Sequence, residues 1–470
     1  MSNFPFLVGV VIDCEVDLGR CRAIEMLTTF LLQLQRHMPH TRCELASLCA
    51  NENEQQLVDA SRRLGMEVQC VAGDPVGQGL AWLCSHCSLI FAVSGQPNGG
   101  RAKLALDFRI HSIPPELGGN RGVFFAPETG PVMWMEEGDL PKGGELSDLL
   151  TFPHGQSFSK WEHQLHELDK ANAAAQRLGA YRDAKSMADV PIDPDEESLV
   201  AAFRVVDTLS RKKQTQVTWS HGGMLSLGLA AVVVMQCMGM WISDVPMADI
   251  YAVVFMLLGA GHMWIRRREA ADQYADYRVL AECLRVQYFW RKAGVAAAPS
   301  DFFMHKHMQR LAWVREAVKS FHLPLAEANG LNHERALPWL NGQLRYHTES
   351  SLRNGRRNNC LKRAVVGFYG ISGVLTIWVC AFPADQIIDV WRGFALGISA
   401  SCGTLLLIFN GSMGFGSRAA QHERMQESFV LAIHLLGHVD HEHERRELLV
   451  DLGRETIQET SEWIYVQGPP

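Results

Sequence analysis

The stretch IFAVSGQPNGGRAKLALDF, Ile90 to Phe108, ends an apolar run in a glycine-rich loop and then takes up a helical pattern. Strand, glycine loop and helix N-terminus together offer backbone N–H groups to an anion such as a phosphate. Two acidic segments could add carboxylates: DCEVDLG, with Asp13, Glu15 and Asp17, and NENE, Asn51 to Glu54. Two further groupings invite metal or redox chemistry. HLLGHVDHEH puts His434, His438 and His441 at i, i+4 and i+7, a spacing able to hold Zn²⁺ on one helix face. No fourth ligand is placed by sequence, and a solvated face is the simpler reading. CSHC, Cys84 to Cys87, lacks the second such pair a zinc site needs, and reads as core packing.

The elements that must position these residues fall in residues 1–150. FLVGVVI suits a buried central strand. RAIEMLTTFLLQLQRHM follows with apolar residues at helical spacing. CELASLCA and MEVQCVA read as strands with NEQQLVDASRRLG as the helix between them. GLAWLCSHC and SLIFAVSG are a further helix and strand. Repeated strand–helix units imply an α/β, Rossmann-like parallel sheet with ligands at the carboxyl ends of its strands. The acidic loop at Asp13, the NENE segment with Glu52 and the loop 94–101 all fall at such ends. The opening MSNFPFLVGVVIDCE reads as a first strand and not a signal peptide.

The second half differs. Four windows carry no charge: Gly222–Ile242, Ile250–Ile265, Ala364–Ala384 and Gly393–Ser417. Spanning a hydrocarbon core takes about 20 helical residues, which the second window reaches only from Pro246. Arg211, Lys212 and Lys213 precede the first window and Arg266, Arg267 and Arg268 follow the second. Arg353, Arg356, Arg357, Lys362 and Arg363 precede the third, and Arg418 and Arg424 follow the fourth. The turns SDVPMAD and PADQIIDVWR carry four Asp and one Arg. Retention of positive charge then puts two membrane hairpins with both termini in the cytoplasm. Small residues recur at Gly393, Gly397 and Ser401 and at Gly367, Gly370 and Gly373, where helices in lipid can approach closely. Gln236 and Asn410 read as inward-facing, as interhelical hydrogen bonds in preference to the lining of a water-filled path. No span carries a carboxylate or buried base, which disfavours an ion-selective channel.

The net charge of −7 and pI near 6.3 argue against a nucleic-acid polymer as partner. Twelve scattered cysteines fit reduced cytosolic thiols. The expected organisation is a sensing domain at 1–150, connecting helices at 151–220 with a hinge at MADVPIDPDEE, hairpins at 221–265 and 364–417, and cytoplasmic helices at 266–363 and 418–470.

The order ASLCANENEQQLVDASRRLG, strand, CSLIFAVSGQPNGGRAKLALDF resembles the SLOG superfamily of Rossmann-like nucleotide-binding domains over about 130 residues. YRVLAECLRVQYFWRKAG and LGRETIQETSEWIYVQGPP resemble elements of bacterial membrane proteins that fuse such a domain to transmembrane helices in conflict and antiphage systems. The phosphoribohydrolase members place a glutamate on the helix after the glycine loop; GGRAKLALDF has none. The resemblance carries over to the loop alone: Ser94, Gly95, Gly99 and Gly100 as backbone donors and Arg101 as phosphate partner. Asn98 in the same loop, with Asp13 and Glu52 from the acidic segments at neighbouring strand ends, completes the expected ligand set. It implies no catalytic residue, no metal and no cofactor beyond a nucleotide-type signalling ligand. The implied function is an inner-membrane effector, a homo-oligomer in the bilayer, that senses a nucleotide-derived second messenger and perturbs the membrane. The rivals are a membrane-tethered nucleotide or NAD hydrolase using Asp13, Glu15, Asp17 or Glu52, and a constitutive scaffold that binds nothing.

Overall fold

A computed structural model describes residues 4–13, 16, 23–63, 66–71, 78–94, 100–111, 131–136, 150–153, 156–178, 197–241, 253, 256, 259–261, 270–303, 310–321, 331–382 and 386–467. They form two compact units. The first comprises 1–209, 275–336 and 441–466, and the second 210–274, 337–440 and 467–470.

The first unit is built on a parallel sheet. Its strands are β1 (Phe6–Ile12), β2 (Cys43–Ser47), β3 (Val68–Cys70), β4 (Leu89–Ser94) and β5 (Val132–Glu136), in the order β3-β2-β1-β4-β5. Helices α1 (Ala23–His37), α2 (Glu52–Arg63), α3 (Gln78–His86) and α4 (Gly100–His111) alternate with them. β1 and β4 are buried along their whole length, which is why both read as unbroken apolar runs. They pair in register from Val8 with Leu89 to Ile12 with Val93. The chain order reverses between these two strands, so their carboxyl ends frame the crevice where such sheets take ligands. Gly9 permits the close approach beneath them: a Cβ there would lie 2.5 Å from Ile90 Cδ1 and 2.9 Å from Cys87 Sγ. Cys84 and Cys87 lie fully buried in this core.

Helix α5 (Phe158–Leu178) clamps the other end of the sheet. Asn172 accepts the Phe4 N–H at 2.7 Å and donates to Phe4 O and to Thr41 Oγ1, both at 3.0 Å. Asp169 accepts from His40 N and Thr41 Oγ1, each at 2.8 Å. These bonds satisfy backbone groups that the sheet edge would otherwise bury unpaired.

Helix α6 (Glu197–Trp241) runs without a break through residues expected to hold a connecting helix and a separate span. No proline falls between, and Gly222 and Gly223 are tolerated inside it. The hinge expected at MADVPIDPDEE lies outside the described residues, save for its last glutamate, Glu197. In the first unit, the early turns of α6 meet α7 (Ala270–Ala293): Arg278 lies 3.9 Å from Asp207, and the guanidinium of Arg285, which pairs within α7 with Glu282 at 2.8 Å, stacks 5.1 Å over Phe203. Beyond α8 (Ala312–Lys319), α7 meets the last helix of the unit. Trp290 is fully buried and donates to Leu449 O at 3.1 Å.

The second unit is helical: α6 beyond residue 209, α9 (Leu337–Ala381), α10 (Gln386–Met413) and α11 (Phe415–His438). The chain then re-enters the first unit as α12 (Glu442–Gln467), where Gly453 faces Trp290. Three stretches among the described residues, Glu197–Cys237, His333–Ala381 and Val390–His438, are long and apolar enough to cross a membrane. Four were expected; the missing one, Ile250–Ile265, falls mostly outside the described residues. Only 6%, 11% and 11% of the three apolar windows is buried within the chain, so they are not core helices of a soluble domain.

Polar groups pin these helices together. Ser372 and Ser399 share a 2.7 Å hydrogen bond, Tyr369 and Thr404 one of 3.0 Å, and Asn410 donates to Asn358 at 3.1 Å. A Cβ at Gly397 would collide with the Gln236 amide, 2.7 Å from its Cδ. Gln236 and Asn410 thus make interhelical contacts. Gly367, Gly370, Gly373 and Gly393 meet nothing within 4 Å among the described residues, so of the glycines in the expected small-residue repeats Gly397 is the one with a described neighbour. At the α9–α10 turn, Arg392 donates to Phe382 O and stacks 3.9 Å from the Trp378 ring centre.

Candidate ligand-binding site

Asp13 follows β1 directly and is held over the crevice. Its amide donates to Val93 O at 3.1 Å, continuing the β1–β4 ladder one residue past the strand. Its carboxylate accepts the Ser94 hydroxyl at 3.0 Å and the Ala102 N–H at 3.1 Å. Ala102 is in the first turn of α4, so the carboxylate caps that helix and meets the positive end of its dipole. Gly100 opens α4 at φ +88°. A Cβ there would strike the Asp13 carboxyl, 2.5 Å from Cγ and 2.6 Å from Oδ1. Two independent constraints therefore require glycine at this position: the left-handed backbone and the close approach.

The second carboxylate of the site is Glu54, which is fully buried. Asn51 accepts the Glu54 N–H at 2.9 Å, and Glu54 reaches back to the Ala50 N–H at 3.0 Å. The pair caps the start of α2 as the Asn-x-x-Glu spacing signals, with Glu54 reaching one residue past the N-cap to Ala50. Glu54 also accepts from Ile12 N at 3.2 Å and Ser47 Oγ at 3.1 Å, and pairs with Arg101 at 2.9 Å. Asn51 and Asn53 tie the same loop to β1, donating to Ile12 O at 2.6 Å and Asp13 O at 3.2 Å.

Of the expected ligand residues, Asp13, Ser94, Gly100 and Arg101 come together at the β1–β4 crevice. Gly95, Asn98 and Gly99 lie outside the described residues, as do Glu15 and Asp17. Glu52 is exposed in the first turn of α2 and makes none of these contacts; Glu54, two residues on, is the acid that enters the site. Period explains the exchange: helical spacing turns Glu54 inward with Leu57, Val58 and Ser61, the buried side chains of α2. Arg101 reaches the site as an ion-pair partner of Glu54.

Chemically, both carboxylates are engaged by hydroxyl, amide and guanidinium donors, an arrangement that orders two loops and one helix start. Asp13, with two protein donors, keeps acceptor sites for hydroxyl or amino donors from a ligand, and Arg101 supplies the positive charge a phosphate needs.

No protein-family model, no curated protein and no solved structure matches this chain.

The histidine grouping is resolved differently from its expected form. α11 ends at His438, with Val439 already extended, so His441 is not on the helix face of His434 and His438. Their rings lie 4.3 Å apart, with His438 Nδ1 placed 2.8 Å from His434 O. Among the described residues no three metal-ligating side chains converge. The aromatic residues of α7 pack internally: Tyr288, Phe289 and Trp290 are buried, and burial beside Asp276 and Glu167 pushes the Tyr277 hydroxyl up to about 12.

Proposed function

We propose that this chain is a membrane-embedded sensor–effector: its Rossmann-like unit binds a nucleotide-derived ligand at the β1–β4 crevice, and its helical unit acts on the bilayer. The observation that carries the reading is the meeting of Asp13, Ser94, Gly100 and Arg101 at the point where the sheet order reverses, in a chain with three helices able to span a membrane. In the proposed mode, the ligand phosphate competes with Glu54 for Arg101 while Asp13 takes a ribose or base donor. Exchange of the Arg101 partner frees Glu54, whose three other donors lie on β1, β2 and the loop before α2. The ligand thereby favours one loop arrangement over another, and only such differential affinity can drive a conformational response. The sorted basic flanks favour cytoplasmic termini. An inner-membrane location, self-assembly and an antiphage role are what the SLOG resemblance adds. Ligand holding is preferred to hydrolysis because the helix after the glycine loop, GGRAKLALDF, carries no glutamate where the phosphoribohydrolase members place one.

The test uses the full-length protein in detergent with a panel of cyclic dinucleotides, cyclic oligonucleotides and ADP-ribose. One class should stabilise the protein with a logarithmic dependence on ligand concentration above Kd, by about 2.7 kcal/mol at a hundredfold excess over Kd, read as a rise in melting temperature. Synthesis of that class in bacteria carrying the protein should depolarise the membrane. Consumption of the ligand would establish the hydrolase instead. No shift with any ligand, together with depolarisation regardless of ligand, would establish the scaffold or constitutive pore.

A further inference from the structure

Cys49 and Cys70 stand at the carboxyl ends of β2 and β3 with their sulfurs 3.2 Å apart. The two strands pair in parallel with Ser47 opposite Cys70, so Cys49 lies just beyond the last rung. Cys70 is exposed and Cys49 partly so, and both are free thiols. Cys49 holds φ at +50°, the sole non-glycine residue in the left-handed region among the described residues. Such backbone costs about 1–3 kcal/mol and persists where its surroundings hold it. Here the Cys49 amide donates to Ser47 Oγ at 3.0 Å, and that same hydroxyl donates to Glu54.

We propose that Cys49 and Cys70 form a reversible intramolecular disulfide, and that its closure loosens the Glu54 hub. The second clause rests on the candidate site described above; the first does not. The oxidant is a small-molecule disulfide of the glutathione type. The Cys70 thiolate attacks it, releasing one glutathione as thiolate and leaving a mixed disulfide on Cys70. Cys49 then attacks the Cys70 sulfur, losing its proton to solvent and releasing the second glutathione. Two protein thiols lose two electrons and two protons, and one glutathione disulfide becomes two glutathiones. The order of attack follows from the surroundings. Cys70 is exposed, with the Arg62 guanidinium 3.4 Å from its sulfur, so it is the sulfur that a glutathione disulfide reaches from solvent. Burial, then the Cys70 contact, push the Cys49 thiol up to about 11, so it serves as the resolving group. A disulfide requires the sulfurs to close to about 2.05 Å. Cys70 is held in the β2–β3 ladder opposite Ser47 and Cys49 lies beyond it, so in the proposed closure the shift falls on Cys49, whose amide is the first link of the chain Cys49–Ser47–Glu54–Arg101. In a reducing cytosol an exposed pair of this kind is regulatory and not structural.

The experiment is a glutathione redox titration of the full-length protein in detergent, read by peptide mass mapping without reduction and by amide hydrogen exchange. The expected result is a Cys49–Cys70 linked peptide that appears with a two-electron dependence, about 30 mV per tenfold change. It should vanish in Cys70→Ser, and in Cys49→Ser a stable glutathione adduct should remain on Cys70. Exchange at Ile12 and Ala50, the amides bonded to Glu54, should rise at least severalfold in the oxidised protein. No linked peptide at any potential in the folded wild type, or linkage of either cysteine elsewhere, overturns the disulfide. Linkage with unchanged exchange at both amides establishes the modification site and overturns its coupling to Glu54.

Discussion

Replacing Gly100 by alanine tests the construction of the crevice most directly. Its φ of +88° costs an L-residue about 1–2 kcal/mol. The new Cβ must also displace the Asp13 carboxyl, whose nearest atoms lie within 2.6 Å of it. Displacement breaks the bonds from Ser94 and Ala102, each worth about 1.5–3 kcal/mol to a charged group. Part of that loss is recovered because Asp13 is 7% exposed and can swing toward water. The expected net destabilisation is about 2–4 kcal/mol, among the larger effects a single substitution has. The assay is thermal unfolding of the detergent-solubilised full chain, in a cycle with Asp13→Ala. Asp13→Ala removes the clash, so Gly100→Ala should cost at least about 1 kcal/mol less in that background, leaving the backbone term. Gly342→Ala, at a helix position with nothing within 4 Å, is the opposite control and should stabilise by up to about 1 kcal/mol. Gly100→Ala unfolding like wild type, or adding fully to Asp13→Ala, would refute the reasoning.

Gly453→Ala pushes a Cβ against the Trp290 indole, 2.7 Å from Cε2, and should destabilise by about 1–3 kcal/mol in thermal unfolding; Trp290→Leu should cancel most of the clash term. Asn358→Ala removes the partner of Asn410 and should destabilise by about 0.6 kcal/mol, the scale of hydrogen bonds between membrane helices, seen as a slight drop in melting temperature. Burial alone would raise the Glu316 carboxyl, but Lys319, the Ser88 hydroxyl and Arg315 hold it below the ordinary 4.5. Its stabilising contribution is therefore present above 4.5 and lost as pH falls through the lowered value. An acid titration of melting temperature should be flatter in that range for Glu316→Gln, and an unchanged profile would show that the pair does not form.

Much was fixed locally. β1 and β4 were legible because a strand buried on both faces must be apolar throughout, and the apolar windows because lipid imposes the same demand over a longer length. The parallel sheet and the crevice followed from the alternation of strand and helix patterns. Asn-x-x-Glu was present in the chain as a capping signal, yet whether Glu52 or Glu54 enters the site depends on which face of α2 meets the sheet, and that is a matter of packing. Arg101 was legible as a cation near a glycine loop; its pairing with Glu54, 47 positions away in the chain, was not. Cys49 and Cys70 carry no spacing signal, since 21 residues and a helix separate them. Gly453 and Trp290 lie in two separate motifs that tertiary structure brings into contact. Sequence alone determined the elements and the division between a parallel sheet and lipid-compatible helices, because period and hydropathy act over neighbouring residues. Tertiary structure decided which acid, which cation and which thiols meet, because those pairings depend on strand order and helix rotation across the whole sheet.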